Sequence, residues 1–135
     1  MSSAIPQPNG TPQRTVTIAL STNNHITKAR YSYVSPVTGL RFQDAPICDL
    51  KIDRATNCLF ILDYLSTLNG WVIDSISATP GSMLIPSTMG ANKLSILTFD
   101  PYSSENAVYN FFISYSNHIT DTQYSEDPQE GNGPP

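Results

Sequence analysis

Two histidines, His25 and His118, are the side chains of this sequence best suited to act as a base near neutral pH. Each stands in a short polar stretch, NNHIT or SNHIT, of the kind that forms a turn. Neither stretch belongs to a known catalytic motif, and no serine-hydrolase elbow, P-loop, dinucleotide-binding glycine set or zinc-protease motif occurs in the chain. We therefore interpret both histidines as solvated turn residues and predict no catalytic residue and no enzymatic activity.

The cysteines Cys48 and Cys58 are the candidate thiol nucleophiles. They are too few for a disulfide framework and form no C-x-x-C motif. Cys58 lies in the apolar run CLFIL, which predicts a small buried hydrophobic residue. The sequence does not decide whether a Cys48–Cys58 disulfide forms, since this bridge would require two neighbouring strands and an oxidising compartment. No spacing in the sequence favours a Cys–His catalytic pair.

Carboxylates recur in two groups, Asp44 with Asp49 and Asp53, and Asp100 with Glu105. Calcium prefers oxygen ligands clustered on loops, but the EF-hand pattern is missing here. At a spacing of four or five residues along strands, these acids are not expected to converge. We predict no metal site and no cofactor, and calcium binding is a secondary alternative.

Seven tyrosines and one tryptophan raise the possibility of sugar stacking. In a strand, Tyr31 and Tyr33 share one face, as do Tyr109 and Tyr115. Tyrosine is also an ordinary strand residue that places its hydroxyl at the margin of a core. We expect these side chains to pack in the core, and carbohydrate binding is a further alternative.

The segments that would position these residues alternate between apolar and polar side chains. In residues 14–21, Val16, Ile18 and Leu20 share one face, which predicts a half-buried strand. Residues 26–34 and 107–116 alternate in the same way, and the second is the strongest strand pattern in the sequence. Shorter strands are predicted at 40–43, 71–79 and 92–100, and an optional last one at 120–124 brings the total from seven to eight with the segment described next. Residues 47–53 also alternate, with Ile47, Asp49 and Lys51 opposite Cys48, Leu50 and Ile52.

The segment 57–65, NCLFILDYL, is predicted to be a buried strand, with a helix as the alternative because Cys58, Leu62 and Leu65 have helical spacing. Asn69-Gly70 follows and stands directly before WVIDSISAT. Because this dipeptide permits a positive φ at both central positions of a turn, it predicts a type I′ hairpin.

Seven or eight short strands separated by proline, glycine and asparagine predict an all-β fold, an antiparallel, immunoglobulin-like β-sandwich. We expect three parts: a flexible, proline-rich extended arm over residues 1–13, the sandwich domain over 14–125, and an acidic Pro/Gly tail over 126–135. The tail is expected to turn at Asp127-Pro128, and Gly131-Asn132-Gly133 is not expected to hold a strand.

The net charge of −4 comes from the C-terminal end of the chain. Residues 1–120 contain equal numbers of acids and bases, and Asp121, Glu126, Asp127 and Glu130 supply the excess. A neutral body without a basic stripe predicts no nucleic-acid binding. No apolar run is long enough to cross a bilayer, and the first residues lack a signal-peptide pattern, so we expect a cytoplasmic or a processed secreted protein.

The C-terminal part of the sequence resembles a small bacterial family known as DP-EP. The similarity is carried by LDYL, GWVIDSISATPG, LTFDP, VYNFFISYS and the closing YSEDPQEGN, over roughly residues 55–135. The chain contains Asp127-Pro128 but no Glu-Pro dipeptide, and its proline-rich N-terminus is longer. The resemblance implies a compact β-sandwich of uncharacterised function and transfers no catalytic residue.

Two functions of different classes follow from these expectations. The first is a non-enzymatic binding module whose end loops contact a ligand or a partner. The second is a structural subunit that assembles into oligomers, inclusions or filaments through its edge strands and terminal arms, since sheet edges offer unpaired backbone groups.

Overall fold

A computed structural model of the protein describes residues 13–35, 39–52, 54–78, 85–86, 94–100, 108–126 and 129–132. Within these ranges the chain forms eleven strands and one short helix. The strands are β1 (Gln13–Asn23), β2 (Ile26–Val34), β3 (Arg41–Ala45), β4 (Asp49–Ile52), β5 (Thr56–Leu62), β6 (Trp71–Ala78), β7 (Ile85–Pro86), β8 (Ser95–Asp100), β9 (Val108–Asn117), β10 (Thr122–Glu126) and β11 (Gln129–Asn132), and the helix is α1 (Tyr64–Leu68). None of the described helical residues forms a segment long and apolar enough to span a membrane.

The strands are arranged in two sheets. The first has six strands in the order β3-β2-β1-β5-β8-β7. In the second, β9 pairs with β6 on one side and with β10 and then β11 on the other, and β11 also pairs with β4. The predicted all-β class is therefore confirmed. The predicted antiparallel arrangement holds for most pairs but is wrong for two, because β1 runs parallel to β5 and β4 runs parallel to β11.

One hydrophobic core takes side chains from both sheets. The alternation predicted for residues 14–21 and 26–34 is confirmed, since Val16, Ile18 and Leu20 face the core together with residues of β2. Each large apolar side chain buried in this way stabilises the fold by about 1.5–3 kcal/mol. The core residues are Val16, Ile18, Leu20, Ala29, Tyr31, Tyr33, Cys48, Cys58, Phe60, Leu62, Trp71, Ile73, Ile96, Ile113 and Tyr115.

The segment predicted as a strand over 57–65 divides into a strand and a helix. β5 ends at Leu62, and α1 begins at Tyr64 after Asp63. The carboxylate of Asp63 caps the helix by accepting a hydrogen bond of 2.9 Å from the amide of Ser66. An aspartate at this position satisfies a free amide of the first turn, so the chain leaves the sheet at Asp63.

The type I′ hairpin predicted at Asn69-Gly70 is wrong. Asn69 has φ −80° and ends α1, while Gly70 has φ +99°, the left-handed conformation common after a helix. The strands on either side, β5 and β6, belong to different sheets. The tight hairpin with positive φ at both central residues joins β1 to β2 instead, at Asn24 (51°) and His25 (66°).

The C-terminal tail contributes a strand, which corrects the prediction that Gly131-Asn132-Gly133 cannot hold one. β11 lies between β9 and β4, and Gly131 pairs with Val108 on one side and with Lys51 on the other. Glu126 pairs with Ile113 and Gln129 with Asn110, so β11 continues along β9 in the register of β10. Two neighbouring backbones hold this segment, and its side chains need not favour a strand.

The structure describes the predicted arm and tail only in part. Gln13, the last residue of the predicted arm, begins β1, and residues 1–12 lie outside the described residues, as does the turn expected at Asp127-Pro128. The described strands exceed the seven or eight predicted, partly because β11 and the two-residue β7 had no strand pattern of their own. β7 is an edge strand, where Pro86 is tolerated.

Candidate functional site

The structure separates the two candidate histidines from the two thiols by burial. His25 and His118 are exposed in the turns after β1 and β9, as the sequence predicted. Cys48 and Cys58 are both buried and are not joined by a disulfide, which decides the question that the sequence left open. A catalytic pair of thiol and imidazole is not supported by this arrangement.

The candidate acids do not gather around a metal site in the part of the chain that the structure describes, where no group of three His, Cys, Asp or Glu residues could hold an ion. Asp44 is exposed on β3 with φ 53°, and its amide donates to the hydroxyl of Ser32 at 3.1 Å. The side chains of the other four candidate acids, Asp49, Asp53, Asp100 and Glu105, lie outside the described residues.

Tyr31, Tyr33 and Tyr115 lie in the core, which confirms the packing interpretation for these three residues. The side chain of Tyr109 lies outside the described residues. Within them, the hydroxyls of Tyr31 and Tyr115 have no hydrogen-bond partner. Burial is the main cause that raises the pKa of both phenols far above the usual range, and the nearby Glu126 carboxylate adds to it. These rings offer no exposed face on which a sugar could stack.

The unusual feature of the surface is helix α1, which buries its serine and exposes its apolar side chains. Ser66 is only 1% exposed, whereas Tyr64 is 76%, Leu65 63% and Leu68 56% exposed. The hydroxyl of Ser66 accepts a hydrogen bond of 2.8 Å from the buried amide of Leu20 on β1. An amphipathic helix normally turns its apolar face to the core, so this orientation is the reverse of the usual one.

Backbone hydrogen bonds hold α1 in this orientation. The amide of Asp63 donates to the carbonyl of Ile18 at 2.8 Å, which ties the start of the helix to β1. At the other end, the amides of Asn69 and Gly70 donate to carbonyls of α1, and the chain turns into β6. The exposed leucines are therefore fixed by the surrounding backbone, and no described contact turns them inward.

The turn after β9 packs against the end of α1. The buried side chain of Asn117 donates to the carbonyl of Asn69 at 2.9 Å and accepts from the amides of Ile119 and Thr120. The amide of His118 donates to the carbonyl of Gly70 at 3.0 Å. This network presents Ile119 to solvent beside the helix, with 66% of its side chain exposed.

Gly70 is required for this close contact. A Cβ atom at this position would lie 2.7 Å from the Asn117 Oδ1 and 2.8 Å from the Ile119 Cγ1. Because any other residue would displace the turn, the glycine brings Ile119 next to α1.

Tyr64, Leu65, Leu68 and Ile119 together are called the apolar end surface below. A depression of about 330 Å³ adjoins it, lined by Leu20, Ser21, Thr22, Leu68, Asn69, Trp71, Asn117, Ile119 and Thr120. Among the described residues, no charged side chain lines this depression. Asp63 and Asp121 flank the two contributing segments in the sequence, and neither segment contains a lysine or an arginine. The surface is therefore apolar, and the charged residues that flank its segments in the sequence are acidic.

Sequence reasoning assigned no functional residue and missed this surface. The signals that could have located the helix are Asp63 as an N-cap and Asn69-Gly70 as its C-terminal stop. No local sequence pattern indicates the orientation of the helix. This orientation depends on the hydrogen bond from the Leu20 amide to Ser66, which joins residues far apart in the chain.

Comparison with protein-family models gives no match, and comparison with curated proteins gives none. The function is therefore inferred from the geometry of the molecule.

Proposed function

We propose that the protein is a non-enzymatic binding module that contacts another protein through the apolar end surface. The observation that supports this proposal is the reversed helix α1, which exposes Tyr64, Leu65 and Leu68 while burying Ser66. Clustered, fixed apolar side chains on a surface are typical of interaction sites. Aromatic residues such as Tyr64 are also enriched among the residues that dominate binding energy.

The chemistry of the surface favours a protein partner with an apolar, uncharged patch. A membrane surface is disfavoured because basic residues usually accompany an apolar anchor, and residues 63–71 and 117–121 contain none. Nucleic acid is disfavoured for the same reason. Four side chains supply only a few hundred Å², so we expect a weak or transient complex.

Site-specific photo-crosslinking can test this function. A photoreactive phenylalanine analogue at Leu65 or Ile119 should yield a discrete adduct in the cells that produce the protein. The same analogue at Gln123, an exposed residue of β10 that is not part of the apolar end surface, is the matched control and should yield none. The partner identified in this way is then purified for a direct measurement of affinity.

The double variant Leu65→Ser, Leu68→Ser should weaken binding of that purified partner by at least about tenfold, since losing two central apolar contacts costs about 2 kcal/mol or more. Its thermal stability should stay near that of the wild type because both side chains are already exposed. Equal affinity of the variant and the wild type would contradict the proposal. An adduct with the mass of two copies of this chain would favour the self-assembling subunit instead.

Assembly through edge strands has less support from the geometry. The register of β2 with β3 shifts between Tyr31 and Tyr33, and that of β6 with β9 shifts between Ile73 and Ser75. Such irregularities at β3 and β6, which border the two sheets, hinder pairing with a further strand. Self-association by this route remains the second candidate.

The immunoglobulin-like arrangement of the strands and the membership in the DP-EP family also remain proposals. An immunoglobulin-like arrangement is supported by the two antiparallel-rich sheets around one core, although the parallel pairing of β1 with β5 departs from a purely antiparallel sandwich. Membership in the DP-EP family rests on the sequence resemblance over residues 55–135. Calcium or carbohydrate binding remains a minor alternative.

A further inference from the structure

The six-stranded sheet forks between β1 and β2. The two strands pair from Asn23 and Ile26 back to Thr17 and Ser32, where the ladder ends. Before Thr17, β1 continues along β5, with Gln13 opposite Asn57. Beyond Ser32, β2 continues along β3, with Val34 opposite Arg41. The two branches enclose a cleft of about 440 Å³, within the range of ligand-binding pockets.

The walls of this cleft combine cations, neutral polar groups and an aromatic ring. Arg14 lines it from β1 and Arg41 from β3, and the neutral polar side chains are Gln13, Thr15, Thr17, Ser32 and Gln43. Phe42 also lines it and is stacked on Tyr33, with ring centroids 4.9 Å apart and 37% of Phe42 exposed. In the part of the chain that the structure describes, no acidic residue lines the cleft.

Neither arginine is neutralised within the described residues. The guanidinium of Arg14 donates to the neighbouring carbonyl of Gln13 at 3.1 Å, and the side chain of Arg41 forms no ion pair or hydrogen bond with another described residue. Guanidinium groups form strong two-point hydrogen bonds with carboxylates and phosphates. Two unpaired guanidinium groups in one cleft therefore favour an anionic ligand.

We propose that this cleft binds an extended acidic peptide segment, with its carboxylates on Arg14 and Arg41 and an apolar side chain against Phe42. In an extended chain, carboxylates at alternate residues project from one face about 7 Å apart. The strands that form the walls are suited to run beside such a chain, as in other proteins that bind peptides next to a strand. The site is separate from the apolar end surface and does not depend on it.

A peptide is favoured over nucleic acid because two cations are too few to neutralise a run of phosphates, and the body of the chain has no net positive charge. The acids Glu126 and Glu130, which contribute to the overall negative charge, belong to strands of the other sheet. Neither acid therefore belongs to a strand that lines the cleft.

Fluorescence anisotropy with a labelled octapeptide of alternating glutamate and valine can test the site. The same peptide with glutamine in place of glutamate is the neutral control. We expect the acidic peptide to bind at least about tenfold more tightly, since hydrogen bonds to charged groups are the strong ones. The preference should diminish as salt is raised from 50 to 300 mM.

The double variant Arg14→Gln, Arg41→Gln should lose this preference. The variant Arg30→Gln removes a cation from the same sheet outside the cleft and should bind like the wild type. Charge reversal in Arg14→Glu, Arg41→Glu should transfer the preference to a peptide of alternating lysine and valine.

Several results would overturn the peptide site. Equal affinity for the acidic and neutral peptides would contradict the proposed site. An unchanged affinity of the Arg14→Gln, Arg41→Gln variant for the acidic peptide would also contradict it. Tighter binding of a single-stranded oligonucleotide than of the acidic peptide would contradict the choice of a peptide as the ligand. The variant Leu65→Ser, Leu68→Ser should keep full peptide affinity, so failure of this site and failure of the apolar end surface can be told apart.

Discussion

The two histidines occupy turns of different backbone geometry, although both stand in the triplet H-I-T. His25 follows Asn24 in a two-residue hairpin loop, and both residues have positive φ. His118 is not among the described residues with positive φ, and its amide donates to the carbonyl of Gly70. For a residue other than glycine, the left-handed region costs roughly 1–2 kcal/mol. The shared triplet therefore reflects two unrelated local structures.

Replacing His25 by glycine should stabilise the protein, because Asn-Gly is the preferred sequence for a turn with positive φ at both positions. We expect a gain of about 0.5–1 kcal/mol in the free energy of unfolding, measured by urea denaturation. The matched variant His118→Gly should instead lose about 0.5 kcal/mol, because glycine there only adds freedom to the unfolded chain. A loss of stability in both variants would show that the conformation at His25 is not strained.

The buried phenols of Tyr31 and Tyr115 should make the fold sensitive to alkali. Burial raises the pKa of both hydroxyls in the folded state, while the unfolded chain releases these protons near pH 10. The unfolded state therefore binds fewer protons above pH 10, and the free energy of unfolding falls as the pH rises. Below pH 10 these two residues should cause no dependence on pH.

Thermal melts of the wild type and of Tyr31→Phe, Tyr115→Phe between pH 8 and pH 11.5 can measure this effect. The fall above pH 10 should be up to about 1.4 kcal/mol per pH unit for each tyrosine, and the double variant should show a smaller fall. Parallel curves for the two proteins would mean that neither phenol is held protonated by the fold.

At the scale of elements, α1 owes its orientation to a serine. The hydroxyl of Ser66 satisfies the buried amide of Leu20, and this contact places the polar face of a short helix against β1. Five residues cannot form a stable helix alone, so the tertiary contacts and the cap at Asp63 maintain it. The exposed leucines follow from these contacts.

The variant Ser66→Ala should therefore lose about 1–3 kcal/mol, because the Leu20 amide would remain buried without a partner. Thr67→Ala is the matched control: its hydroxyl bonds to the carbonyl of Tyr64 within the same helix and is not needed by β1. Chemical denaturation should show little change for the control. Equal losses in the two variants would contradict the role given to Ser66.

At the scale of the whole molecule, the two ends of the chain join regions that are distant in sequence. β1 pairs with β5, and β11 connects β9 to β4. β4 has no other strand neighbour among the described elements, so the C-terminal strand attaches it to the second sheet. The acidic end of the chain is in this respect part of the fold.

Removing residues 129–135 should therefore destabilise the protein by at least about 2 kcal/mol, since each lost backbone hydrogen bond contributes about 0.5–1.5 kcal/mol. For a domain of this size, the melting temperature should fall by roughly 6–8 °C. A chain lacking only residues 133–135 keeps β11 and should melt like the full-length protein. Equal melting temperatures of all three chains would show that β11 does not stabilise the sheet.

The sequence by itself determined the strand class and the core faces. The alternation of Val16, Ile18 and Leu20, and of Tyr31 with Tyr33, predicted their burial correctly, because side chains in a strand alternate between two faces. The polar NNHIT and SNHIT stretches predicted turns correctly, because asparagine favours turn conformations. All these features depend on residues close together in the chain.

Tertiary structure alone decided which strands are neighbours and which surfaces remain exposed. The strand at Gln129–Asn132 exists because β9 and β4 supply its backbone partners, and the helix at Tyr64–Leu68 is reversed because Leu20 needs Ser66. The cleft between Arg14 and Arg41 exists because β1 and β2 separate toward different neighbours. Each feature depends on pairing between distant segments, which local patterning does not encode.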